Sequence, residues 1–130
     1  MPVVRITIRA GKSPEYRKAV LDGVHNGLVQ AFKIPEHDRI QTLHELTPDL
    51  FEIPPAKTEQ FTIIEVIAFK GRSLAAKRDL YRIIVENLAK NPGIAGDDIL
   101  IILHEPSLEN WGIRGGNPAS EVNLGFAVDV

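Results

Sequence analysis

Apolar and polar positions along the chain follow two periods, and the changes between them divide it into elements. Val3, Val4, Ile6 and Ile8, with Thr7 among them, read as a first β-strand over residues 2–8. The turn Ala10-Gly11-Lys12-Ser13-Pro14 follows, with Ser13 placed to cap a helix and Pro14 to begin it. Tyr16, Val20, Val24, Leu28 and Phe32 then recur at helical spacing, with Ala19 and Ala31 beside them. Pro35 disfavours helical geometry just before it and ends this helix near Lys33. After a turn at residues 35–38, residues 39–46 read as a strand, and residues 47–60, with Pro48, Pro54 and Pro55, as an irregular connection. Residues 61–69 are strongly strand-like. Ser73 closes the next turn as a helix cap, and Leu74, Lys77, Leu80, Ile84 and Leu88 mark a second helix that stops before Pro92. Residues 99–103 are a continuous apolar run, consistent with a buried strand. Residues 106–119 are loop-like, and residues 122–130 form a short strand or an arm.

The chain repeats itself without gaps at an offset of sixty residues. Gly11, Ser13, Leu28, Ile34 and Asp38 recur as Gly71, Ser73, Leu88, Ile94 and Asp98, and Leu43-His44-Glu45 recurs as Leu103-His104-Glu105. Conservative pairs lie between them: Lys12 with Arg72, Arg17 with Lys77, Val20 with Leu80, Val24 with Ile84. Register, turns and apolar periodicity agree, so the fold expected is α+β. Two consecutive β-α-β units, about residues 2–47 and 61–106, build a four-stranded mixed sheet with two helices on one face. Residues 107–130 add a loop and arm to this single domain. A crossover helix makes the strands within each unit parallel. The uncovered sheet face needs a partner, which implies a homo-oligomer.

Length and composition narrow the function. The 130 residues suffice for one domain with a real core. A net charge of −2 gives no global electrostatic case for nucleic acid or an anionic membrane. Absence of cysteine excludes disulfides, thiol catalysis and thiolate metal sites. No apolar run approaches the roughly 18 residues of a membrane-spanning helix, and Arg5 and Arg9 interrupt any signal-peptide core. A cytoplasmic protein is the expectation.

The candidate chemistry begins at Pro2. Initiator methionine is normally removed before a small second residue, which leaves Pro2 with a secondary amine at the end of a rigid strand. An α-amino group titrates near pH 8, burial or a nearby cation lowers that value, and a base works best near the ambient pH. The plainer reading is that the proline aids processing or strand entry. Its counterpart in the second half is Thr62, so proline stands only where it can become an N-terminal amine. Lys70 and Arg72 flank Gly71 after the third strand, where two cations could hold a carboxylate or simply be solvated. Asp38 precedes a strand and can orient substrate or cap local N–H groups, and capping is the favoured role for its twin Asp98. Trp111 and Arg114, in Asn110-Trp111-Gly112-Ile113-Arg114-Gly115-Gly116, suit a wall over a polar ligand or an interface anchor. His25, His37, His44 and His104 show no metal-ligand spacing, and no phosphate loop, dinucleotide fingerprint or nucleophile elbow occurs. No metal or cofactor is expected.

The N-terminal proline, the β-α-β repeat, the cationic turn after the third strand and the length together resemble the tautomerase superfamily. Residues 34–42 (Ile-Pro-Glu-His-Asp-Arg-Ile-Gln-Thr), Lys70-Gly71-Arg72-Ser73 and Asn110-Trp111-Gly112 are similar to its malonate semialdehyde decarboxylase-like branch. The resemblance implies a homotrimer with Pro2 in a pocket completed by a neighbouring subunit. It implies Pro2 as catalytic base or acid, Asp38 as the acid that assists water or orients substrate, Arg72 as carboxylate ligand and Trp111 as pocket wall. Lys70 stands where that branch has a second Arg, keeping the charge without the planar fork. The activity implied is cofactor-free keto–enol tautomerisation of a small 2-oxo acid. The alternatives are decarboxylation or hydration of a 3-oxo acid and a non-enzymatic trimeric binding protein.

Overall fold

The computed structural model describes all 130 residues. Strands β1 (Pro2–Arg9), β2 (Ile40–Leu46), β3 (Thr62–Ala68) and β4 (Ile99–His104) alternate with helices α1 (Pro14–Phe32) and α2 (Leu74–Lys90). The strand order is β2-β1-β3-β4. Strands pair in parallel within each β-α-β unit, as the crossovers require, and β1 and β3 pair antiparallel at the centre. The expected mixed sheet with both helices on one face is therefore the fold observed.

Both helices start as their sequences dictate. Ser13 Oγ accepts the Tyr16 N–H at 3.1 Å, and Ser73 Oγ accepts the Ala76 N–H at 3.1 Å. The alternating residues Val4, Ile6 and Ile8 of β1 and Ile64 and Val66 of β3 face Val20, Val24, Leu28, Leu80, Ile84 and Leu88 of the helices, all essentially buried. Each such side chain contributes about 1.5–3 kcal/mol by leaving water. The helices meet closely because α1 has glycine at the contact. A Cβ at Gly27 would stand 2.7 Å from Ile84 Cγ1, and one at Gly23 would stand 2.9 Å from Leu88 Cδ2.

The opposite face of the sheet has no covering layer. Ile40, Val3, Ile67 and His104 form one row across it, and Ile40, Leu100 and Ile102 are 46%, 45% and 37% exposed. His44 and His104 also lie there, bonded to Thr42 and Glu65.

Beyond β4 the structure departs from the loop reading of residues 106–119. A small antiparallel ribbon forms from β5 (Gly112–Ile113) and β6 (Asn117–Pro118), joined by a turn with positive φ at Arg114, Gly115 and Gly116. Two-residue strands are too short to leave a periodic signal. Residues 122–130 form an arm, not a strand. Val122, Leu124, Phe126, Val128 and Val130 are half-buried against the domain, and the Val130 carbonyl accepts the Ser73 N–H at 2.9 Å. No helix is long and apolar enough to cross a membrane.

Candidate active site

The antiparallel pairing of β1 with β3 decides what stands near Pro2. It sets Pro2, buried at the start of β1, opposite Ala68 at the end of β3. The turn holding Lys70 and Arg72 therefore follows directly beside Pro2. Proline is tolerated as the first residue of a strand because no ladder bond needs its missing N–H. The parallel register of Val3 with Ile40 brings the residues before β2 to the same end. Asp38 arrives there on a turn closed by its own N–H to the Pro35 carbonyl at 3.0 Å. Its carboxylate forms an ion pair with the α-amino group of Met1.

Arg72 turns inward. It is 5% exposed, its Nη1 donates to the Phe69 carbonyl at 2.9 Å, and its Cζ lies 4.9 Å from the Phe32 ring centroid. Nε and Nη2 are buried without partners. Burial pushes the guanidinium pKa down, with the Glu105 carboxylate opposing that shift. A guanidinium with idle donors can receive a planar anion bidentately. The neighbouring Gly71 has φ +145°, and a Cβ there would stand 3.0 Å from the Val128 carbonyl oxygen, so glycine lets the arm cross this turn. Lys70 is exposed, with its N–H directed to the Pro106 carbonyl at 3.4 Å.

Aromatic rings line the same end. Trp111 crosses Phe69 edge-on at 4.7 Å between centroids and donates its Nε1–H to the Pro106 carbonyl at 3.2 Å. Phe126, from the arm, stacks on Phe69 at 6.3 Å, and Met1 packs into this cluster with Ile113 and Ala119. Arg114 is engaged within the chain. Its Nη1 donates to the Asn123 carbonyl at 2.5 Å and its Nη2 to the Leu124 carbonyl at 3.4 Å, so it ties down the arm. The structure thus gathers Pro2, Asp38, Arg72 and Trp111 at one end of β1 and β3, with Lys70 at the rim and Arg114 engaged elsewhere. Phe69 and Phe126 join them without any signal in the sequence beyond an apolar residue closing a strand and one in the tail.

The other end of the repeat is filled. Thr62 occupies the place of Pro2, and its hydroxyl donates to the Gln60 carbonyl at 2.8 Å. Asp98, buried in the place of Asp38, accepts the Thr58 N–H at 2.9 Å and the Thr58 hydroxyl at 2.6 Å. These bonds hold its carboxyl below the usual carboxylate range. Asp98 does cap backbone, but the N–H lies on the long connection and not in its own turn. Surface grooves of the subunit lie around Asn26 and Asn87 and around Arg17 and Arg39, and neither is lined by Pro2, Asp38 or Arg72. No group of three or more His, Asp or Glu side chains could hold a metal ion.

Two family models, each described as tautomerase enzyme, match the chain, one over residues 38–114 and the other over residues 2–54. The probable tautomerase YrdN of Bacillus subtilis (strain 168) is 29% identical over 116 residues, which cover 85% of this chain and 89% of that protein. Among solved structures, FG41 malonate semialdehyde decarboxylase inhibited by 3-bromopropiolate is 30% identical. It superposes with a TM-score of 0.83 over 97% of this chain and 98% of its own. A fused 4-OT described as a symmetric trimer superposes with a TM-score of 0.79 over 91% of this chain and 96% of its own, at 19% identity, a likeness of fold alone.

Proposed function

The chain belongs to the tautomerase family of enzymes, and from that premise we propose that it interconverts keto and enol forms of a small 2-oxo acid with Pro2 as base and acid. The reading rests on one observation: a buried strand-initial Pro2, the Asp38 carboxylate and the idle donors of Arg72 share one end of the central strand pair. Removal of Met1 converts the Pro2 nitrogen from an amide to a secondary amine. That nitrogen lies within about one residue's length, roughly 3.8 Å, of the amine that now pairs with Asp38. It also vacates the space Met1 takes beside Phe69. The substrate carboxylate then sits on Arg72, with Lys70 completing the positive field. Neutral Pro2 removes the enol O–H proton, the resulting enolate is stabilised by the cations as charge develops, and the prolinium returns the proton to C3. Trp111 and Phe69 shield the exchange from water.

The uncovered sheet face, with Ile40, Leu100 and Ile102 exposed, supports a homo-oligomer; a homotrimer is the assembly named for the fused 4-OT of the same fold, and sites completed at its subunit interfaces are part of this proposal. Membership of an enzyme family favours catalysis over a binding protein. A second reading is decarboxylation or hydration of a 3-oxo acid such as malonate semialdehyde. It is favoured by the 30% identity with the FG41 decarboxylase and by Asp38, which could orient water beside a protonated Pro2. Ketonisation of phenylenolpyruvate and release of carbon dioxide from malonate semialdehyde, measured on one preparation, separate the two. The first reading predicts the former reaction to dominate in kcat/KM and to collapse in Pro2→Ala. A Pro2→Ala protein at the wild-type rate contradicts both.

A further inference from the structure

We propose that His25 is a positioning residue that fixes Asp38 from behind. His25 is 2% exposed on α1, and its Nε2 lies 2.8 Å from the Glu36 carbonyl oxygen. A carbonyl only accepts, so Nε2 carries the proton and donates. Glu36 is two residues before Asp38, in the turn closed by the Asp38 N–H to the Pro35 carbonyl. That turn is held internally by the Asp38 bond and is tied to the helical layer by His25. Two more bonds from the same helix flank it: Asp22 accepts from Arg39 Nη2 at 2.9 Å, and the Leu21 carbonyl accepts from Gln41 Nε2 at 2.9 Å.

The second half of the repeat has none of these. At the same offset, Val85 replaces His25, Arg82 replaces Asp22, and Ile99 and Ile101 replace Arg39 and Gln41. Its turn has the same internal closure, from the Asp98 N–H to the Ala95 carbonyl at 2.9 Å, but is tied outward through the acid itself, because both oxygens of Asp98 are taken by Thr58. The contrast has a physical reason. A carboxylate that anchors its own loop is consumed by doing so, whereas one that must face a reacting group needs its loop held by other side chains. Misplacing a reacting group by about 1 Å costs on the order of a hundredfold in rate, so such a brace matters even though His25 touches no substrate.

The inference rests on the reading of Pro2 and Asp38 given above, and a double-mutant cycle tests it apart from that reading. The full chain is assayed on phenylenolpyruvate as wild type, Pro2→Ala, Asp38→Asn, His25→Leu, His25→Gln and the pair His25→Leu with Asp38→Asn. His25→Leu is expected to lower kcat by about 10–100-fold with KM nearly unchanged. His25→Gln, which keeps a donor N–H, recovers most of that loss. In the Asp38→Asn background His25→Leu adds at most about twofold, since the acid it positions is gone. Should His25→Leu fail to fold, His25→Asn, polar but too short to reach the Glu36 carbonyl, takes its place with the same outcomes. A His25 variant at wild-type kcat, or one whose full loss multiplies onto Asp38→Asn, overturns the positioning role. Asp38→Asn at the wild-type rate overturns the role of Asp38 and the positioning with it. Pro2→Ala at the wild-type rate overturns the underlying reading instead.

Discussion

Arg72→Met separates a guanidinium kept for binding from one kept for the fold. In the folded chain Arg72 gains one hydrogen bond to the Phe69 carbonyl and the face of Phe32, worth about 1.5–3 kcal/mol and about 0.5–2 kcal/mol. Against this stand two buried donors, Nε and Nη2, without partners, each costing about 1–3 kcal/mol. Methionine fills similar volume and removes both sides of that balance, so stability is expected to stay within about 2 kcal/mol of wild type. Binding behaves differently. Two charge-assisted bonds to a substrate carboxylate are worth about 1.5–3 kcal/mol each, and at about 1.4 kcal/mol per tenfold their loss lowers kcat/KM by about 10²–10⁴. Arg72→Lys keeps the charge without the fork and falls between. Urea unfolding at fixed protein concentration and phenylenolpyruvate kinetics on the same preparations check both halves. A destabilisation above about 4 kcal/mol refutes the reasoning, because Arg72 is then structural. So does a stable variant within about fivefold of wild-type kcat/KM, because the idle donors then meet no carboxylate.

Three further outcomes follow from the same contacts. Asp98→Ala removes both Thr58 bonds at the filled end and is expected to cost about 2–4 kcal/mol. Because those bonds depress the folded-state pKa of Asp98, its contribution is complete above the unfolded value of about 3.9 and is lost as pH falls through the folded one. Unfolding midpoints from pH 7 down to pH 2 should show this step in wild type and lack it in Asp98→Ala. Ile67→Asp places a charge beside Val3 on the uncovered sheet face and, if the proposed trimer forms through that face, is expected to give a monomer by size-exclusion chromatography with light scattering, with activity lost together with assembly. Arg114→Ala releases the carbonyls of Asn123 and Leu124 and is expected to speed amide exchange over residues 122–130 while leaving exchange in β1 and β3 unchanged.

Much of this molecule could be read before any coordinates, because it is written twice. The repeated Gly-x-Ser turns and the sixty-residue register specify the two units, and Ser13 and Ser73 cap the helices the pattern assigns them. The crossover rule governs strands within a unit and is silent on how the units meet. The antiparallel register of Pro2 with Ala68, which brings the Arg72 turn to the N-terminus, is a fact of the three-dimensional pairing. Side-chain direction was equally hidden. Lys70 and Arg72 look alike in a cationic turn, yet one is exposed and the other is stacked under Phe32 with idle donors. Arg114 reads in the sequence as part of a wall with Trp111 over a polar ligand, and in the structure it bonds carbonyls nine and ten residues further along the chain. Asp98 and Asp38 are twins in sequence, and their partners, Thr58 and the chain start, separate the anchoring acid from the one beside Pro2.

The central claim is that Pro2 is an amine that exchanges protons with substrate. Nuclear magnetic resonance titration of isotope-labelled proline nitrogen in the active enzyme tests it most directly. The account predicts that the Pro2 nitrogen titrates as a secondary amine, with a midpoint that matches the acidic limb of kcat/KM against pH. A Pro2 nitrogen that never titrates, still in amide linkage to Met1 in protein that turns substrate over, contradicts it.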